Sequence, residues 1–209
     1  MSRRDAAWLA GVFEGDGCLS SDKRSDRWPC LKLECVDRPL VEEAARLMCA
    51  NVTYHDDSRG GRQRLWIARR TGRATFPMVE QMLPHFGERR RAQAARIWGI
   101  TTDIVESGSH EWAAGLMEAE GCFKLHRDRP SARLKMTDRD VVERACAVWE
   151  INLDRIGTRR GYRAGWLDSY SIDLYSTDAH YVARSVFPFL RGERKRADIA
   201  VWLGGQLVT

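Results

Sequence analysis

Residues 8–18 read WLAGVFEGDGC, and residues 112–122 read WAAGLMEAEGC. The same residue stands at Trp8/Trp112, Ala10/Ala114, Gly11/Gly115, Glu14/Glu118, Gly17/Gly121 and Cys18/Cys122. Asp16 faces Glu120, one carboxylate for another. The register continues outward. LKLECVDRPLVE (31–42) matches ARLKMTDRDVVE (132–143), and GERRRA (87–92) matches GERKRA (192–197). The chain reads as a duplicated unit of about 100 residues, since a repeat at fixed spacing signals one structural unit used twice.

Each unit follows one local grammar. A helix comes first (5–16 and 109–120), with Gly17 or Gly121 as its stop. Two alternating strands follow (18–24 and 30–36; 122–127 and 131–137). Asp37 and Asp138 then stand as N-caps before a helix (38–49; 139–150). Two more strands (51–56 and 62–70; 156–163 and 168–175) and two helices (73–86 and 88–99; 178–190 and 193–204) close the unit. The expected fold is α+β, a tandem pseudo-two-fold pair of αββαββα units. Each would hold an antiparallel, saddle-like sheet covered by helices on one face. The expected division is 1–99, a polar linker at 100–109, and 110–209.

The chain has 209 residues, 44% of them hydrophobic, enough to build a core. No apolar run reaches the roughly 20 residues that cross a bilayer. The start, MSRRD, is not that of a signal peptide. Six cysteines show no metal spacing and sit in apolar runs, so buried free thiols in a reducing compartment are expected. Trp8, Trp112, Trp149 and Trp202, in helical patterns, are expected in the core; Trp66 and Trp166, on or near strands, are candidates for DNA contact, with core packing the favoured reading.

The 34 Lys and Arg exceed the 29 Asp and Glu, for a formal net charge of +5. Only five of the basic residues are lysines. A GC-rich coding sequence produces such a bias, but so does selection for phosphate and guanine contacts. Placement favours the second. The solvent face of the strands is expected to carry Lys32, Glu34, Arg62, Arg64, Trp66, Lys124, His126, Arg133, Lys135 and Ser171. A sheet face studded this way is a candidate DNA-binding surface.

The repeated helix has its own logic. Gly11 and Gly15 are four apart and share a helix face, as do Gly115 and Ala119. Glycine costs roughly 1 kcal/mol against alanine inside a helix, so a glycine face implies close helix–helix approach. Asp16 and Glu120 then sit at equivalent helix ends near the axis. There they face the negative end of the dipole and each other. Such a pair calls for a cation, and carboxylates with water and phosphate oxygens suit Mg²⁺.

At this point WLAGVFEGDG and WAAGLMEAEG resemble the two signature motifs of the LAGLIDADG homing endonucleases in their single-chain form. Glu14 and Phe13 replace the usual Asp and Ile, and Ala113 replaces a leading leucine. The resemblance implies that Asp16 and Glu120 are catalytic and metal-binding. It implies a site-specific double-stranded DNA endonuclease cutting both strands of a long asymmetric target with Mg²⁺ and leaving short 3′ overhangs. Ca²⁺ or Mn²⁺ are possible substitutes for the metal. Asp37, Asp138, Arg89, Arg90, Arg194 and Lys195 are supporting candidates around that centre. The alternative is a non-cleaving binder of the same fold, such as an RNA maturase for intron splicing. A pseudo-symmetric monomer is expected, with no membrane contact, in the cytoplasm of a bacterial or phage-infected cell, nucleoid-associated, or in an organelle matrix.

Overall fold

A computed structural model of the chain describes residues 1–21, 28–55, 64–161 and 165–203. The N-terminal unit opens with α1 (Arg3–Gly15), β1 (Gly17–Ser21), β2 (Pro29–Cys35) and α2 (Arg38–Leu47). It continues with β3 (Val52–His55), β4 (Leu65–Thr71), α3 (Phe76–Met82) and α4 (Glu88–Trp98). The C-terminal unit repeats the order: α5 (His110–Ala119), β5 (Gly121–His126), β6 (Arg129–Met136), α6 (Arg139–Val148), then β7 (Gly157–Arg159), β8 (Ser169–Tyr175), α7 (Ser176–Val186) and α8 (Glu193–Leu203). The fold is α+β, with two four-stranded antiparallel sheets of order β1-β2-β4-β3 and β5-β6-β8-β7.

Alternation along β2 and β6 decides which side of each sheet is covered. Leu31, Leu33, Leu134 and Met136 are buried, while Glu34, Arg133 and Lys135 are exposed. Each fully buried leucine contributes roughly 1.5–3 kcal/mol relative to exposure. The buried residues of both units form one continuous cluster that includes Trp8, Phe86, Trp112 and Trp149.

The centre of that cluster is the contact between α1 and α5, the most extensive between any two elements. A Cβ on Gly11 would lie 2.1 Å from the Trp112 carbonyl oxygen, and one on Gly115 would lie 2.1 Å from that of Trp8. The contact is reciprocal, as a two-fold axis requires. Gly15 meets Ala119 and Glu120 in the same way, a Cβ there lying 2.6 Å from each. The four small residues expected at the interface are all at it.

Several local expectations change. Gly17 and Gly121 are not left-handed stops: Asp16 and Glu120 cap the helices in right-handed conformation, and the glycines begin β1 and β5. They are needed for space, since a Cβ would fall 2.4 Å from the Phe13 Cα or the Met117 carbonyl oxygen. The segment expected as one helix at 73–86 is broken into a 3₁₀ turn at Arg73–Thr75, α3, and a second turn at Leu83–His85. Pro84 lacks the N–H that would continue α3, and Pro188 plays the same part after α7. The strand expected over 156–163 is only Gly157–Arg159 among the described residues. Cys30, Cys35 and Cys146 are buried as expected, but Cys18, Cys49 and Cys122 are exposed. Trp166 is exposed too, because it stands between β7 and β8 rather than under a helix.

Candidate functional site

The glycine-packed helices deliver Asp16 and Glu120 to adjacent positions at the ends of α1 and α5. Both side chains are exposed, yet each is crowded enough by protein to lose hydration, which raises both carboxyls above their ordinary range. For Glu120 the charge of Asp16 raises it further. Basic residues counter this. Arg194 and Lys195 lower Asp16, and Lys195, Arg89 and Arg90 lower Glu120. The basic turn of the C-terminal unit thus attends the acid of the N-terminal unit, and Arg89 and Arg90 of the N-terminal unit attend Glu120. The donor set is two carboxylates, hard oxygen ligands of the kind that a divalent cation takes together with water and phosphate. No group of three or more His, Cys, Asp or Glu side chains is placed to hold a metal among the described residues.

The basic turns split into two kinds of residue. Arg90 and Lys195 are buried. Arg90 Nη2 donates to the carbonyls of Gly17 (2.7 Å) and Glu14 (3.2 Å), and the Lys195 ammonium donates to the Gly121 carbonyl. Both hydrogen-bond the backbone at the strand start beside each acid. Arg89 and Arg194 are exposed. Arg89 Nε donates to Asp138 at 2.7 and 2.9 Å. That pairing replaces the N-cap bond expected of Asp138, whose side chain makes none. Asp37 does cap α2, accepting from the Leu40 N–H at 3.4 Å, and also accepts from the Arg194 N–H at 3.0 Å.

A cavity of about 760 Å³ opens beside Glu120, lined by Gly15, Arg89, Lys135, Asp138, Arg160 and Trp166 among others. Its counterpart of about 820 Å³ lies by Asp37, Arg38, Trp66 and Arg194.

Strand register sorts the expected sheet contacts. Lys32, Glu34, Lys124, His126, Arg133, Lys135 and Ser171 all project from the faces opposite the helices. Some are already paired there: Lys32 with Glu34 at 2.8 Å, and Arg133 with Asp173 directly across the ladder. Trp66 is on the other face. It pairs with the core residue Cys35 and packs against the core, with the Arg38 guanidinium 4.6 Å from its ring centre. Arg64 goes with it, stacked 4.5 Å from the Tyr54 ring centre. The physical reason for Trp66 is parity: it shares a side with Ala68, which is fully buried, whereas Arg64 precedes β4 and is exposed. Arg62 lies outside the described residues. Arg69, directly opposite Lys32, and Arg129, opposite His126, are on the outer faces and were not anticipated. Register with the neighbouring strand is the signal that finds them, because LWIARRT over 65–71 does not alternate clearly by itself.

Glu14 and Glu118 complete the picture. Both are buried, and burial pushes each carboxyl up to about 7 despite hydrogen bonds from backbone N–H groups.

No family model of sequences matches the chain, and no curated protein sequence matches it. Solved structures do. A double mutant of I-SmaMI shares the fold at a TM-score of 0.54 and 8% identity, over 92% of this chain and 87% of that one. A variant of I-DmoI, solved in complex with its target DNA in the presence of Mg, gives 0.51 and 17% identity, over 88% and 96%. The N-terminal LAGLIDADG domain of DUF199/WhiA gives 0.53 and 12%, over 89% and 82%.

Proposed function

We propose that this chain, which has the LAGLIDADG fold, is a divalent-metal-dependent endonuclease acting on double-stranded DNA. One observation carries the reading: two acids, Asp16 and Glu120, meet at the ends of two helices whose glycines bring the backbones into contact. The homing endonuclease I-DmoI shares the fold and is described with target DNA and Mg, which supports the same partner and metal here.

The residues divide the work. Outer-face side chains such as Lys32, Arg69, Lys124, Arg133 and Lys135 bind phosphates and base edges. The helix-end acids hold Mg²⁺, which supplies phosphate polarisation and an activated water when bound. Exposed Arg89 and Arg194 provide positive charge near the phosphates under attack. Arg90 and Lys195 hold the strand starts in place. The two units differ in sequence, so each sheet meets a different half-site, and the target is long and asymmetric. We further propose the division 1–99, 100–109 and 110–209, a pseudo-symmetric monomer, short 3′ overhangs as products, a role in intron homing, and action in the cytoplasm of a bacterial or phage-infected cell or an organelle matrix.

The likeness to the LAGLIDADG domain of WhiA favours a second reading, a nucleic-acid binder that does not cut. An RNA maturase is one form of it. A randomised duplex library, incubated with Mg²⁺, separates the two. The nuclease reading expects cleaved, sequence-enriched products. Asp16→Asn and Glu120→Gln should then each slow cutting by about 10²-fold or more, the scale on which a charge-stabilising group acts. Both should still bind the selected duplex in Ca²⁺. Tight binding by the wild type with no strand break in any metal would favour the binder.

A further inference from the structure

Glu14 and Glu118 are buried acids with no part in the chemistry above. Each is spent on backbone N–H groups of the basic turn in its own unit. Glu14 Oε1 accepts from the Gly87 N–H at 2.5 Å. Glu118 Oε1 accepts from Arg191 at 2.6 Å and Gly192 at 2.5 Å. The turn glycines are what permit this approach. A Cβ on Gly192 would lie 3.2 Å from Glu118 Oε1 and 2.6 Å from Asp37 Oδ2, and one on Gly87 would lie 2.8 Å from Asp140 Oδ2.

The same turns then reach back. Three residues after each turn glycine, Arg90 or Lys195 donates to the carbonyl of Gly17 or Gly121, the residue that follows each axis acid. A closed loop results: axis helix, buried Glu, turn glycine, buried cation, strand start, axis acid. A buried charge costs heavily unless its hydrogen bonds are made, so each loop is held shut at several points.

We propose that Glu14 and Glu118 are positioning residues that fasten the basic turns to the axis helices and so fix the orientation of Asp16 and Glu120. The functional half of this rests on reading those two acids as the metal-binding pair. The two ties are unequal. Glu118 Oε2 accepts from Trp8 Nε1, across the axis, at 2.6 Å. In the other half, Glu14 Oε2 and Trp112 Nε1 are both buried and have no hydrogen-bond partner among the described residues. Glu118 therefore ties its turn to both units, and Glu14 ties its turn to one.

The test uses the full chain and amide hydrogen exchange. Glu118→Gln should speed exchange at Arg191, Gly192 and Cys122 by about tenfold or more, the scale of a hydrogen bond to a charged group. The rest of α5 should keep its protection. Glu14→Gln should do the same at Gly87 to a smaller degree. Trp8→Phe, which keeps a ring in the core, should loosen the turn of the C-terminal unit although Trp8 lies in the N-terminal one. On a selected duplex, Glu118→Gln should raise the Mg²⁺ concentration for half-maximal cutting several-fold, with duplex affinity unchanged. Unchanged exchange at these amides, or a uniform rise through both units, would overturn the proposal. If the wild type cuts no DNA, the metal reading of Asp16 and Glu120 falls, while the exchange experiment still decides whether the tie exists.

Discussion

At the scale of the residue, burial sets the chemistry more than identity does. Glu14 and Glu118 ionise near pH 4.5 in an exposed setting but near 7 in the fold. The folded state therefore binds more protons than the unfolded state between those values, and stability should fall as pH rises through that window. Asp16 and Glu120 are raised too and act in the same direction, whereas the lowered His85 opposes them below its ordinary value of 6.5. Between pH 6 and 8 the two glutamates, raised to about 7, outweigh one imidazole. The melting temperature should thus be higher at pH 6 than at pH 8, and Glu118→Gln should flatten that slope. A melting temperature that rises from pH 6 to 8 would contradict the burial of these carboxyls. Lowered acids such as Asp5, held down against burial by Ser2 and Arg191, and Glu43, held down by Arg46 and Arg191, lose their contribution only at lower pH. Sequence placed Glu14 and Glu118 in the repeat, but their protonation depends on what covers them. Trp66 and Arg64 show the same limit from the other side. A DNA contact is one reading of their residue types, but the parity of β4 turns Trp66 toward the helices, while exposed Arg64 lines the cavity beside Arg194.

At the scale of the element, two opposed effects meet at Gly11. Replacing a helix-interior glycine by alanine gains about 1 kcal/mol in propensity. A Cβ 2.1 Å from a backbone oxygen forces the helices apart, and overpacking typically costs about 1–3 kcal/mol or more where backbone must move. The second effect wins. Gly11→Ala and Gly115→Ala should each lower the denaturation midpoint, as urea unfolding will show. Gly15→Ala should behave differently. Its Cβ would lie 2.6 Å from the Ala119 Cβ, which moves only with its backbone, and from the Glu120 Cγ, which can rotate, a milder clash than 2.1 Å from a carbonyl oxygen. Its stability loss should be smaller, and cutting should suffer through the displaced Glu120. The helix ends were legible because glycine spacing and acid position are local. The breaks at Pro84 and Pro188 were also written locally, as missing N–H groups, although the apolar periodicity of 73–86 and 178–190 concealed them.

At the scale of the molecule, two sheets present outer faces with Lys32, Arg69, Lys124, Arg129, Arg133 and Lys135. Binding through such a surface releases counterions, so log K should fall by about 0.9 per neutralised phosphate as log salt rises. Lys135→Ala should reduce that slope by about one unit, whereas Trp66→Ala should leave it unchanged and instead lower stability. Filter binding across a salt series checks both. The sequence by itself determined the duplication, the α+β order, the glycine face and the identity of the two axis acids. Those follow from spacing, which the 3.6-residue and two-residue periods convert directly into faces. Tertiary structure alone decided the rest. It brought the basic turn of each unit to the axis, spent Arg90 and Lys195 on backbone carbonyls, paired Arg89 with Asp138 and joined Trp8 to Glu118. These contacts link residues from 49 to 110 positions apart, beyond the reach of any local period. They exist because the glycine-to-backbone approach of α1 and α5 leaves the two units no separate cores to fold around.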